Sequence, residues 1–81
     1  MKVAVTMNYD GHFLASLIDN REKTIEVLKT VHDGEMWEDY LEDALDACDL
    51  KEEDLFICPL NRFEQFIAWF EERGTFEIVE L

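Results

Sequence analysis

The side chains of this chain that could do chemistry are overwhelmingly carboxylates: twenty Asp and Glu, against two His, two Cys and a single Ser. Eleven of the twenty fall between Asp33 and Asp54, where Lys51 is the only Lys or Arg. General acid–base work by a carboxylate pair needs one member in an apolar pocket that raises its pKa. The spacing here instead puts Glu38, Asp39, Glu42, Asp43, Asp46 and Asp49 on one water-facing arc, at about 100° per residue. Ser16 lies inside a strand-like run with no nucleophile elbow around it, and no Gly-rich loop is present to cradle a phosphate. His12 and His32 each lack a second His at helical ligand spacing, and there is no C-x-x-C. A lone His of this kind is more often a surface or hydrogen-bonded residue than a ligand. The pattern points away from an enzyme.

What the arc can do is present charge. Six carboxylates from Glu38 to Asp49, at about 1.5 Å of rise per residue, give about one charge per 3 Å, close to the ~3.4 Å between phosphates along one DNA strand. Such a stripe has a cost. Like charges three and four apart, as in Glu38/Glu42, Asp39/Asp43 and Glu42/Asp46, oppose the helix by about 0.2–0.5 kcal/mol each, and Asp46 and Asp49 sit near its negative end. The stripe reads either as a solvated, solubilising face or as a surface for a partner. Asp49, Glu52, Glu53 and Asp54 could also bind calcium weakly, although no loop of calcium-binding spacing is present. Cys48, on the apolar face of the same helix, and Cys58, at the end of a strand-like run, read as reduced, buried thiols.

The formal net charge of −13 opposes direct binding to nucleic acid or to an anionic membrane. A hydrophobic content of 48%, with ten aromatics, is too high for a disordered acidic tail. At 81 residues there is room for one domain, spanning 1–81, with one modest core. No apolar run approaches the ~18 residues of a membrane span. Met1 to Val5 enters a strand pattern at once and offers no small-residue cleavage site, so a soluble, cytoplasmic protein is expected.

The elements that must position the arc follow from periodicity and punctuation. Residues 2–7 read as a buried first strand closed by the turn-like Asn8-Tyr9-Asp10-Gly11. Phe13 to Asp19 is apolar on both alternate sets, which suits a strand covered on two faces. Asp19 to Lys23 reads as a turn, and Thr24 to Val31, alternating through Ile25, Val27 and Val31, as the second strand of a hairpin. Asp33-Gly34 breaks the pattern ahead of a helix whose apolar face is Trp37, Tyr40, Leu41, Ala44, Leu45 and Cys48. Leu55 to Cys58 reads as a short strand ended by Pro59. Asn61 followed by Glu64 resembles a capping box. It opens a helix that buries Phe63, Phe66, Ile67 and Phe70 and stops at Gly74. Thr75 to Leu81 is a final strand. The expected fold is therefore α/β: a small mixed sheet in the order β-β-β-α-β-α-β, with two helices packed on it and a right-handed parallel crossover at its end. Trp69, off the centre of its helix's apolar face, is a candidate interface anchor.

The opening Met1-Lys2-Val3-Ala4-Val5-Thr6, followed by Gly11-His12-Phe13, resembles the NifX/NafY family of iron–molybdenum cofactor-binding proteins. Leu14 stands where that family usually has Gly, and Cys58-Pro59-Leu60-Asn61 replaces its later Gly-rich turn. The resemblance implies a ribonuclease-H-like fold and a carrier of an iron–molybdenum or iron–sulfur cluster, with His12 as ligand and Cys58 as helper. A second likeness, in size, acidity and the stretches Tyr9-Asp10-Gly11 and Phe76 to Leu81, is to small anti-CRISPR proteins of the type II-C class. It implies inhibition of a nuclease by a nucleic-acid mimic.

The expectation drawn from the residues is a non-enzymatic acidic binding domain without a cofactor. Glu38, Asp39, Glu42, Asp43, Asp46 and Asp49 would meet a basic surface of a nucleic-acid-processing protein, with Trp69 or Tyr9 as apolar anchor. The alternatives are the cluster carrier and a small structural or regulatory subunit, monomeric or weakly dimeric through its sheet edge.

Overall fold

A computed structural model describes residues 1–7, 10–32, 35–75 and 77–81. The β-branched opening of the chain forms strand β1 (Lys2–Met7), which pairs antiparallel with β2 (Phe13–Leu17) from Val3 opposite Leu17 to Met7 opposite Phe13. The last strand, β3 (Glu77–Glu80), pairs antiparallel with the other edge of β1, giving the order β2-β1-β3. Between β2 and β3 lie three α-helices, α1 (Arg21–Val31), α2 (Glu35–Cys48) and α3 (Leu60–Glu72), and a 3₁₀ segment at Glu52–Phe56. The protein is thus a small α/β fold, but with a wholly antiparallel three-stranded sheet and no parallel crossover among the described residues. Two of the five expected strands are helical, so the order β-β-β-α-β-α-β implied for a ribonuclease-H-like fold does not hold.

The expected strand at Thr24 to Val31 is α1, and the reason is local. Asn20 Oδ1 accepts a hydrogen bond from the Lys23 N–H at 3.2 Å, which caps the helix before its β-branched run begins. The same run that alternates through Ile25, Val27 and Val31 also carries Thr24 and Leu28 at helical spacing. Thr24, Ile25, Val27 and Leu28 are all buried, which a strand with two faces against one core could not achieve. Thr24 is fully enclosed, its hydroxyl lying 3.0–3.2 Å from Asn20 O, Leu17 O and Ser16 Oγ, so it ties α1 back to β2.

The expected strand at Leu55 to Cys58 also fails. Asp54 folds that segment on itself: its carboxylate accepts from Lys51 N–H at 3.0 Å, and its carbonyl accepts from Ile57 and Cys58 N–H at 3.2 and 2.8 Å. Leu55 reaches the core and Arg21 Nη1 donates to its carbonyl at 3.0 Å, while Phe56 and Ile57 remain exposed. The run was apolar enough for a strand, but three acids and a lysine ahead of it close a 3₁₀ turn.

Helix α3 begins at Leu60, with Pro59 rather than Asn61 at the N-cap; Arg62 and Phe63 N–H donate to the Pro59 carbonyl. Its buried face is the expected one, Phe63, Phe66, Ile67 and Phe70, all fully enclosed. Gly74 ends it at φ 74°, with Thr75 N–H donating to Phe70 O and Gly74 N–H to Glu71 O, a Schellman closure. Helices α1 and α3 pack on the same side of the sheet, and α2 packs on α3. Phe70 is the hub of the aromatic core, with ring centroids of Phe66, Trp69 and Trp37 at 5.4, 5.0 and 6.0 Å.

Candidate functional site

The amphipathic period of α2 positions the acidic arc. Trp37, Leu41 and Ala44 are buried, and Tyr40, Leu45 and Cys48 are half-buried against the core. That orientation leaves Glu38, Asp39, Glu42, Asp43 and Asp46 exposed on the other side. Asp49 is exposed too, one residue beyond the helix, at φ 55°. Leu50 N–H donates to Leu45 O there and Asp49 N–H to Asp46 O, so Asp49 takes the left-handed place that Gly usually fills. No ion pair among the described residues reaches any of these six carboxylates; Lys2–Glu64, Lys23–Glu26, Arg73–Glu72 and the Met1 ammonium with Glu80 lie elsewhere. The last turn of α2 carries no basic residue. Arg62 supplies the missing cation from α3, donating Nη2 to the Cys48 carbonyl at 2.6 Å. Burial pushes the Cys48 thiol up, against the opposing pull of Arg62.

Beside the arc lies a groove that periodicity alone did not reveal, because three elements build it. Trp37, Leu41 and Leu45 of α2 give it an apolar floor; Glu38 and Glu42 of α2, Glu52 of the 3₁₀ segment and Lys29 of α1 form its rim, around about 470 Å³. Lys29 Nζ stands 6.0 Å from the centroid of the Trp37 ring and makes no ion pair among the described residues. The signal available in the sequence was the i, i+4, i+8 series Trp37, Leu41, Leu45 flanked by Glu38 and Glu42. That series reads as core, and Trp37 and Leu41 are core; what it does not announce is that Glu52, in a stretch that reads as a polar connection, comes to border them.

Trp69 is half-buried, as its angular position suggested, but its ring is not bare. The Arg73 guanidinium carbon lies 3.5 Å from the ring centroid, and Tyr40 of α2 meets it edge-on at 6.1 Å. Trp69 therefore adjoins α2 through Tyr40, with a cation on one face. Tyr9 lies outside the described residues.

His12 is exposed, in the segment leading into β2. Cys58 is a half-buried free thiol just after the 3₁₀ segment, with Arg21 Nη1 at 3.7 Å from its sulfur. Among the described residues no three His, Cys, Asp or Glu side chains gather as a metal site. His32, expected at the surface or in a hydrogen bond, is instead buried against Tyr40 and Phe70, its Nε2 without a partner among the described residues.

Fold and site together define a class: an acidic α/β domain that displays exposed carboxylates beside an apolar groove. No protein-family model matches this chain, and no curated protein or solved structure matches it significantly. No described helix is long and apolar enough to cross a membrane.

Proposed function

We propose that the protein is a non-enzymatic binding domain that docks α2 on a basic surface of a nucleic-acid-processing enzyme and inhibits or regulates it. The observation that supports this reading is the pairing of six exposed carboxylates, without an ion pair among the described residues, with an adjacent apolar groove. A purely solubilising face has no need of an apolar neighbour. A docking face uses both, charge for steering and register, and apolar burial for residence time. In this reading Glu38, Asp39, Glu42, Asp43, Asp46 and Asp49 stand in for a phosphate backbone. The groove over Trp37, Leu41 and Leu45 takes the anchoring role, receiving the aliphatic stem of a partner's Arg or Lys while Glu38, Glu42 and Glu52 meet its charged head.

The test is capture from nuclease-treated lysate on immobilised protein, with elution in salt steps and identification by mass spectrometry. The expected result is a nucleic-acid-binding enzyme released by moderate salt. With that enzyme purified, Asp39→Lys/Asp43→Lys should slow association at low salt by about tenfold or more, because reversing two charges removes much of the steering field. Salt-insensitive binding, or unchanged association of the double variant, would sink the proposal.

A further inference from the structure

The sheet has one covered face and one open face, and the open face is apolar. The pleat assigns the faces without ambiguity. On the helix side, Lys2 Nζ reaches Glu64 of α3 at 2.8 Å, Ser16 Oγ meets Thr24 of α1, Ala4 and Ile18 are core, and Ile78 packs against it. The alternate set must point away from the helices: Val3, Val5 and Met7 of β1, Phe13, Ala15 and Leu17 of β2, and Glu77 and Val79 of β3. Met1 and Leu81 continue that set one pairing step further, joined by Leu81 N–H to Met1 O at 2.7 Å. Phe13 is 74% exposed, Met7 53% and Leu17 40%, while Met1 and Leu81 stand at 70% and 77%. Antiparallel sheets with one wet face ordinarily alternate apolar-in and polar-out. Here Glu77, on an edge strand, is the only charged side chain of the outward set among the described residues.

We infer that this open face is the interface of a homodimer in which two copies pack sheet against sheet. Area is the first argument. With roughly 100 Å² exposed on each of the five largest side chains, and less on the valines and Ala15, the face offers about 600 Å² per copy. Two such faces bury about 1,200 Å², the lower end of the range for specific, stable interfaces. Charge is the second. Each copy carries −13, yet the face itself brings almost none of it to the contact, so desolvation is cheap and another neutral face is its best complement. Shape is the third. A two-fold axis along the strands seats β2 of each copy over β3 of the other, so in the shared register Leu17 meets the smaller Val79 and the small Ala15 leaves room beside Glu77. Such a dimer also accounts for β2 being apolar on both alternate sets: the helices cover one and the second copy covers the other.

Analytical ultracentrifugation of the full chain, from low to high micromolar concentration, is the experiment. The expected result is a monomer–dimer equilibrium that tightens as salt rises, because screening relieves repulsion between like-charged copies. Phe13→Glu/Leu17→Glu should be monomeric throughout, with dissociation weakened at least ~100-fold, and circular dichroism reports whether it folds. Phe13→Ser, at the most exposed of the side chains within the strands, is the milder variant and should weaken the dimer about tenfold. A wild-type monomer at high micromolar concentration overturns the proposal and leaves the face to another protein or to a further segment of a longer chain. A dimer that survives both variants overturns it in favour of main-chain pairing between sheet edges. The sign of the salt dependence keeps this inference separate from the docking proposal, whose complex must loosen with salt.

Discussion

His32 is the residue whose surroundings decide the most about behaviour in solution. Its ring lies edge-on to Tyr40 at 4.9 Å and tilted on Phe70 at 5.9 Å, and burial lowers its pKa below the ordinary histidine value. The folded protein therefore resists protonating it, while the unfolded chain takes up a proton near pH 6.5. The stability it contributes is complete above that pH and is lost as pH falls toward the depressed folded value. The window to scan runs from about pH 7.5 to 5.5, spanning the ordinary histidine value. The urea midpoint of the wild type should fall across it, and His32→Phe, which keeps the ring packing and removes the titration, should fall less. Equal losses in both proteins would assign the pH dependence to other groups. Little of this was legible in the sequence. Nothing local distinguishes His32 from His12; the difference is that Tyr40 and Phe70, eight and thirty-eight residues on, close over one and not the other.

At the scale of elements, legibility followed how much of each signal was local. Helices α2 and α3 were readable because a long apolar stripe and a stop at Gly74 have no competing strand interpretation. Helix α1 and the 3₁₀ segment were misread where short β-branched or wholly apolar runs fit two periods, and the side-chain caps at Asn20 and Asp54 decided between them. The acidic stripe was legible as a stripe, and its groove was not, since Glu52 and Lys29 arrive from other elements. The stripe also makes α2 an element held below its own optimum. Glu42 faces Glu38 and Asp46 one turn away on either side, so Glu42→Lys converts two repulsive contacts into two attractive ones. That change should stabilise the fold by about 0.5–1 kcal/mol at low salt, seen as a higher urea midpoint, with the gain shrinking as salt is added. The same substitution should weaken partner binding, because it inverts charge on the arc and on the groove rim together. A variant that gained stability and kept full binding would show that the stripe serves only the solvent.

At the scale of the whole molecule, charge and apolar surface pull in opposite directions, and salt separates them. A net charge of −13 is confined within 33 × 32 × 20 Å, so most pairs of charges lie within two or three screening lengths at the ~10 Å Debye length of 0.1 M salt. The ion pairs described above all lie on water-accessible side chains, which limits their contribution. Self-repulsion therefore outweighs attraction in the folded state, and screening should help the fold. Raising salt from about 20 mM to 500 mM should lift Tm by about 5 °C, equivalent to roughly 1 kcal/mol for a domain of this size. The measurement belongs on the Phe13→Ser variant at low micromolar concentration, where dimer formation cannot supply the stabilisation by mass action. A flat or falling Tm would mean that the acids are spaced widely enough for water alone to screen them. With the monomer's own response known, salt becomes a three-way discriminator on one preparation: it should raise monomer stability, tighten the sheet-to-sheet dimer and release the basic partner from α2. The first two share a cause, repulsion between like charges. The third has the opposite sign because there the same carboxylates are the attraction.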